Sequence, residues 1–552
     1  MSNKSSLGIS RIFLFAGPLG SLAISPFWSY DAINIPKFVS VAAFGGMAWL
    51  LIFRHLYQSK TRIFKTLLML SGLFLALMVL VIIFSKGNLT QQIFGASGRN
   101  TGLITYLSFI GIMCAFAISS SETLMKKIGF SLIGTAFVSD VYGLVQTFGA
   151  DPFSWTNPYS PVFGFLGNPN FLSSLLGIAS IVGMAFALEK GTSLIYRISY
   201  LSFVLFSLYI IAQTKSQQGF LVFFIGFAIV MYFKVQEFQK LKKFSFIYLI
   251  LSGSSMILVL MGILQKGPLR SFLYKNSVSE RGDFWRAGWK MTLENPVFGV
   301  GIDGYRDWYR RSRDAVAVAR SGPGFVSDAA HNVFLDLSSG GGFPILLAYI
   351  SLVSYAFISG IRYIRRGGAN SVGFVSIFAA WVAYTAQSLI SIGQIGLAIW
   401  GWIFGGLIIG IQLKNENQAL NQNKSHEIKS IHSANFTVLG FGLILGLLAS
   451  GPVYISDARF RAATNSGDAI KVVESVNQWP QDVLRMSFAS SLLIDNNLPD
   501  YGLKVADAAT KFSPETYAPW QLIAGISTAT EIEKRNAITQ MKRLDPLNES
   551  LK

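Results

Sequence analysis

Three stretches of one polar loop carry the residue types that chemistry needs: Arg281-Gly-Asp-Phe-Trp285, Asn295-Pro-Val-Phe-Gly-Val-Gly301 and His331-Asn332. A guanidinium offers a planar fork of permanently charged donors. An imidazole can take a proton from a hydroxyl near neutral pH. The loop cannot help cross a bilayer, yet it concentrates Arg, Trp, Asp and a well-placed His in a chain that is otherwise nearly all apolar.

The elements that must position these residues are membrane helices. Hydrophobic residues make up 51% of the 552, charged residues only 13%, and the mean hydropathy is +0.46. That combination excludes an ordinary soluble protein. The net charge of +18 reflects basic residues gathered in short loops, as the positive-inside rule expects, and does not point to nucleic acid. The single cysteine, Cys114, lies in an apolar run, so neither an intrachain disulfide nor a cysteine metal site is expected.

Apolar windows of about 17 to 22 residues, enough to cross roughly 30 Å of hydrocarbon, begin near Ile12, Phe38, Phe64, Thr101, Ile128, Phe171, Leu194, Gly219, Phe244, Phe343, Val372, Ile395 and Phe436. The expected fold is all-α: a polytopic membrane helix bundle of about 13 spans, with a large exterior loop and a C-terminal soluble helical-repeat domain. The run Ile12 to Trp28 is read as a retained first span because it lacks a cleavage site. With a cytoplasmic N-terminus, twenty Lys and Arg fall in inner loops and four, Lys37, Lys86, Arg99 and Lys215, in short outer ones. This places the loop at 265–342 and the C-terminal segment outside the cytoplasmic (inner) membrane. His55, His426 and His432 then face the cytoplasm, leaving His331 as the exterior histidine.

After Tyr454 the pattern becomes mixed polar and apolar. Pro480, Pro514 and Pro546 are separated by 34 and 32 residues, near the period of tetratricopeptide helix pairs. Residues 1–455 are therefore expected to form the membrane domain and 456–552 an exterior tetratricopeptide-like domain. Such a surface suits envelope protein partners and contributes no evident catalytic group.

The chain resembles the O-antigen ligase and oligosaccharide repeat-unit polymerase superfamily of bacterial membrane glycosyltransferases. The residues that carry the resemblance are Phe94-Gly-Ala-Ser-Gly-Arg99-Asn-Thr-Gly102, Gly167-Asn-Pro-Asn170-Phe, Arg281-x-x-x-Trp285, Asn295-Pro-x-x-Gly-x-Gly301, His331-Asn-x-x-Leu335 and Gly340-Gly-Gly-Phe-Pro. The resemblance implies transfer of a glycan from a polyprenyl diphosphate carrier to a lipid, glycan or protein hydroxyl acceptor on the outer face of the membrane. No metal or cofactor is implied.

On this reading Arg281 faces the carrier diphosphate and His331 accepts the acceptor's proton or orients its hydroxyl. The alternatives are a headgroup-binding arginine and a structural histidine. Arg99 is a candidate for carrier phosphate or an interfacial anchor. Asn170 belongs to a segment read first as a helix cap and second as a substrate lining. Trp285 is a sugar-stacking or anchoring ring, and Asn332 adjoins the histidine. Relatives commonly carry Ser-Arg in the outer loop after the seventh span, where this chain has Gln217. Lys215 is the nearby replacement cation, though as a flexible point charge. Asp140, inside a span, is expected to face the bundle interior. The competing reading, a transporter of small solutes or lipid-linked glycan, would need paired ionisable groups at mid-membrane, and the spans are poor in them.

Overall fold

In the computed structural model, residues 12–56, 61–155, 161–263, 265–273, 276–421 and 436–551 are described, and every regular element among them is helical. His426 and His432 lie outside the described residues. Nine helices are long and apolar enough to cross a membrane: α1 (Asn34–Leu56), α2 (Arg62–Phe84), α4 (Glu122–Thr147), α5 (Pro169–Ala187), α6 (Leu194–Gln213), α7 (Gln218–Glu237), α12 (Val333–Arg365), α14 (Ile395–Asn421) and α15 (Phe436–Ser466). Three shorter apolar helices join them: α3 (Leu103–Ser119), α8 (Ser245–Ile263) and α13 (Val372–Ser388).

Of the first expected span, the residues from Ile12 onward are described: Ile12 and Phe13 are helical, a turn follows, and the helix Ala16–Leu22 leads into extended chain at Ala23. Gly17 and Gly20 let it press against Trp400 and Ile399 of α14. Ser21 Oγ donates to the Gly396 carbonyl at 2.6 Å and accepts from Trp400 Nε1 at 2.8 Å. Lys37, expected in an outer loop, is instead buried in α1, where its ammonium donates to the carbonyls of Ala23 and Ile33.

The bundle is graded from inside to outside. Ile395–Leu413 of α14 is wholly buried and α5 nearly so, whereas α2, α6 and α15 turn most of their surface outward. Side chains such as Phe246, Ile250 and Leu251 of α8 are exposed, the placement a hydrocarbon solvent favours. α15 lies against α1 through Gly442 and Gly446, whose lack of a Cβ lets the two backbones touch near Gly46 and Ala42.

Between α8 and α12 the loop folds into α9 (Asn276–Glu294), α10 (Tyr305–Ser312) and α11 (Ala315–Ser321). The C-terminal region adds α16 (Ala469–Asn477), α17 (Val483–Asp495), α18 (Pro499–Phe512), α19 (Tyr517–Gly525) and α20 (Glu531–Leu544), successive helices packing on one another. Their core includes Val472, Met486, Leu493 and Val505, and also Phe460 of α15. α15 runs unbroken through residues 455 and 456, so the expected domain boundary falls inside a single helix.

Candidate active site

The loop is bolted to the bundle by backbone. Val300 N donates to Ser339 O at 2.8 Å, Gly301 N to Gly340 O at 3.0 Å and Phe343 N to Pro296 O at 2.8 Å. This pairing uses the first turns of α12, which is kinked at Gly342 with φ of 72°. A Cβ on Gly342 would lie 2.5 Å from the Pro296 carbonyl oxygen, so only glycine fits there. The Asn-Pro-x-x-Gly-x-Gly and Gly-Gly-Gly-Phe-Pro stretches are thus the two halves of one joint.

The same joint aims His331. Asn332 caps α12, its side-chain oxygen accepting from Phe334 N and Leu335 N. That oxygen is therefore committed to the helix, which leaves only the amide nitrogen of Asn332 for substrate. Asp336 Oδ1 accepts from Ala330 N at 2.7 Å, holding the chain on the other side of the histidine. Between these clamps His331 sits at φ +53°, a left-handed conformation that costs a non-glycine residue about 1–3 kcal/mol and persists only where neighbours impose it. Its ring lies 5.2 Å from that of Phe284 on α9.

Burial pushes the His331 pKa down to about 4; Asp328 opposes the shift, and Arg281 and Arg99 add to it. The imidazole is neutral at physiological pH, and neither ring nitrogen hydrogen-bonds a described residue. Asp328 makes no hydrogen bond to the ring; its backbone carbonyl accepts from Arg99.

Arg281 and Trp285 are one turn apart on α9. Burial lowers the Arg281 pKa and the nearby Glu280 raises it, leaving it below its ordinary value. Among the described residues Arg281 has neither an ion pair nor a hydrogen bond. Several other arginines of the loop are paired: Arg286 with Asp283 and Asp314, Arg320 with Asp283, and Arg310 and Arg313 with Asp545. The indole N–H of Trp285 is also buried without an acceptor.

Arg99, a candidate for carrier phosphate or an interfacial anchor, is held by carboxylates of the loop and of α12. It is 8% exposed, 3.1 Å from Asp303 and 3.7 Å from Asp336, and it donates to the Asp328 carbonyl at 2.7 Å. Burial opposes its charge, and Asp303, Asp336 and Asp328 more than offset it, so its pKa rises. Asp303 Oδ2 also accepts from Ala96 N at 2.7 Å, tying the 94–102 turn to the loop. Asp303 and Asp336 were not singled out from sequence, although their places beside Gly301-x-x-Gly304 and within the turn after His331 were signals available to be read.

Asn170 lies on α5, and Lys215 and Gln217 on the 214–218 turn. Asn168 caps α5 with Pro169 at its first turn, as the capping reading expects. Asn170 Oδ1 accepts from Ser216 Oγ at 2.7 Å, joining α5 to the 214–218 turn. Lys215 is exposed at φ +56° and Gln217 is half-buried. The structure brings together Arg281, Trp285, His331, Asn332 and Arg99, while Asn168 and Phe171, which flank Asn170, line a cavity together with Arg99 and Asp328. Asp140 is fully buried between α4 and α6 and accepts from Ser207 Oγ at 2.6 Å, facing the bundle interior as expected.

Arg99 and Asp328 also line a cavity of about 870 Å³ at the junction of the bundle, the loop and α15. Among the described residues no cluster of three or more His, Cys, Asp or Glu is grouped to hold a metal.

Residues 201–350 match the family model described as O-Antigen ligase. The chain carries an O-antigen ligase domain. This domain holds Arg281, Trp285, the 295–301 stretch, His331 and Asn332, and ends just beyond the kink of α12. The match places this domain, in a chain with nine described helices long and apolar enough to cross a membrane, with the O-antigen ligase and polymerase-like membrane glycosyltransferases at the level of the superfamily. No curated protein matches the chain.

Proposed function

We propose that the chain moves a glycan from a polyprenyl diphosphate carrier to a hydroxyl acceptor on the outer face of the cytoplasmic membrane, in the manner of a ligase. The observation that carries this reading is the pairing of Arg281, a largely buried cation without an anionic partner among the described residues, with His331, a neutral imidazole whose nitrogens are unengaged.

The acceptor O–H gives its proton to His331 as its oxygen bonds to the sugar's anomeric carbon. The bond from that carbon to the carrier phosphate breaks, and the added negative charge on the leaving diphosphate falls to Arg281 and the Trp285 N–H. The proton then leaves imidazolium for the diphosphate or water. A weak base is an apparent obstacle, since a pKa near 4 disfavours imidazolium. A diphosphate seated at Arg281 would cancel the positive field that helps depress it, and so raise the imidazole's basicity when donor is bound. Arg99 acts as the positioning residue that fixes the 94–102 turn, Asp303 and the start of α12.

The reading includes a cytoplasmic N-terminus and an exterior C-terminal region, supported by the basic bias of the inner loops. The C-terminal helices, with their proline spacing near the tetratricopeptide period, are proposed to receive envelope protein partners. The test is transfer of carrier-linked glycan by purified protein. Undiminished transfer by His331→Ala would remove His331 from the reaction, and absence of transfer by the wild type would return weight to a transporter.

A further inference from the structure

We infer that the cavity at the junction of the bundle, the exterior loop and α15 is a binding site for an uncharged saccharide, built jointly by the membrane domain and the C-terminal helix. The inference rests on the glycan-transfer reading and names where the sugar chain lies.

One wall is aromatic and rigid. Phe27, Phe153 and Trp155 line the cavity, with ring centroids 5.7 Å apart from Phe27 to Phe153 and again from Phe153 to Trp155. The Trp155 indole donates to Tyr142 Oη at 2.8 Å, and that hydroxyl in turn bonds the Asp151 carboxylate, so the ring is pinned. Such rings offer apolar faces of fixed direction, which suit the C–H face of a pyranose.

Facing them are polar groups with capacity to spare. Gln394 is 6% exposed, its Oε1 accepts from Leu397 N, and its Nε2 is buried without a partner. Arg461 of α15 donates from Nη1 to the Ser29 carbonyl at 2.8 Å, while its Nε is also buried and unpartnered. Buried donors left unmade are costly, and a hydroxyl-bearing ligand satisfies them.

Charge separates a saccharide from a phosphate. The cations Arg99 and Arg461 are matched along the lining by Asp31 and Asp328, and Arg99 is further compensated by Asp303. An anion would need surplus positive charge, which lies at Arg281 and not here. The volume of about 870 Å³ is within the usual range for ligand sites. The C-terminal region helps to shape the wall as well as line it. Asp457 of α15 accepts from Ser29 Oγ and Tyr30 N, each at 2.5 Å, and so fixes the loop that carries Phe27, Tyr30 and Asp31.

The test is an array of short uncharged oligosaccharides probed with the labelled full-length chain in detergent. Phe153→Ala and Gln394→Glu should each weaken retention about tenfold, and Gln394→Glu keeps the oxygen that bonds Leu397, so an unchanged melting temperature separates lost binding from misfolding. His331→Ala should still retain the saccharide while losing transfer. No saccharide retained, or equal retention by wild type and both wall variants, overturns the site. So does displacement of bound saccharide by inorganic pyrophosphate that is undiminished in Arg281→Ala, which would make the cavity a phosphate site. If binding behaves as expected but transfer is indifferent to His331→Ala and Arg281→Lys, the roles given to those two residues fail and the cavity stands; if the wild type transfers no glycan, the transfer reading fails. The reverse result removes the cavity alone.

Discussion

Arg313, from the exterior loop, and Asp545, near the C-terminus, form an ion pair at 2.8 Å with side chains 1% and 0% exposed. Arg310 joins the same carboxylate at 2.9 Å, Arg311 pairs with Glu515, and Thr516 Oγ1 donates to Asp307 at 2.8 Å. The C-terminal helices are therefore docked on the loop that carries the candidate active site.

Breaking this contact from one side should be costly. Asp545→Ala leaves two arginines facing a dry interface, and the loss of one partner of a buried pair is typically worth about 3–5 kcal/mol. A lower melting temperature and weaker transfer are expected. The double variant Arg313→Met, Asp545→Leu should recover part of the stability, because removing both charges avoids the stranded cation. Equal stability of Asp545→Ala and wild type would mean the pair is solvated in membranes.

Arg281→Lys is expected to lose most transfer although the charge is kept, since a lysine cannot offer the guanidinium's two parallel donors to a diphosphate. Expression level and monodispersity in detergent serve as the folding control. Transfer near the wild-type rate would reduce Arg281 to an electrostatic anchor.

The pH profile reports on His331. Its pKa of about 4 in the free protein means that the required neutral form persists down to about pH 5 and is lost below about pH 4. The acid limb of kcat/KM, which reports the free enzyme, should lie there. Bound diphosphate favours imidazolium, so the acid limb of kcat should sit at higher pH. His331→Ala should lower transfer at least roughly 100-fold, and limbs at the same pH in both profiles would show that donor does not reach the histidine's field.

Local devices were the legible part of this site. Asn332 before an apolar run reads as a helix start, and it is the cap that aims His331; Asn168-Pro169 does the same for α5. The glycines at 299, 301 and 342 announce close backbone approach even though their partners are unstated. What could not be read depends on contacts far apart in the chain. Arg313 and Asp545 are separated by 232 positions, and each alone reads as a solvated surface charge. Arg99 looked available for phosphate because Asp303, its partner across the loop, has no pattern relating the two.

Orientation follows from thiol labelling. In a Cys114-free chain, cysteines at the exposed positions Gly324 and Ser527 should react with an impermeant reagent on spheroplasts, and one at exposed Lys190 should not. Labelling at Lys190 with protection at the other two would invert the topology and place Arg281 and His331 inside.

The last prediction concerns the C-terminal region as a whole. An autonomous repeat domain could be removed after Tyr454 without harm to chemistry, and the lack of an evident catalytic group there favoured that expectation. Three contacts bear on the outcome. Phe460 of α15 is wholly buried in the terminal core, Asp457 and Arg461 clasp the 29–31 loop, and Asp545 neutralises Arg310 and Arg313. Truncation after Tyr454 should therefore lower the melting temperature and abolish transfer. Truncation after Ser466 keeps Asp457 and Arg461 but strands the loop arginines, so it should retain more transfer than the shorter chain and less than the full one. Adding the point variant Asp457→Asn separates the two effects, because it weakens the clasp on Tyr30 while leaving the Arg313 interface in place. Wild-type transfer by the chain ending at Tyr454 would show that the contact is incidental and that the loop holds its site unaided.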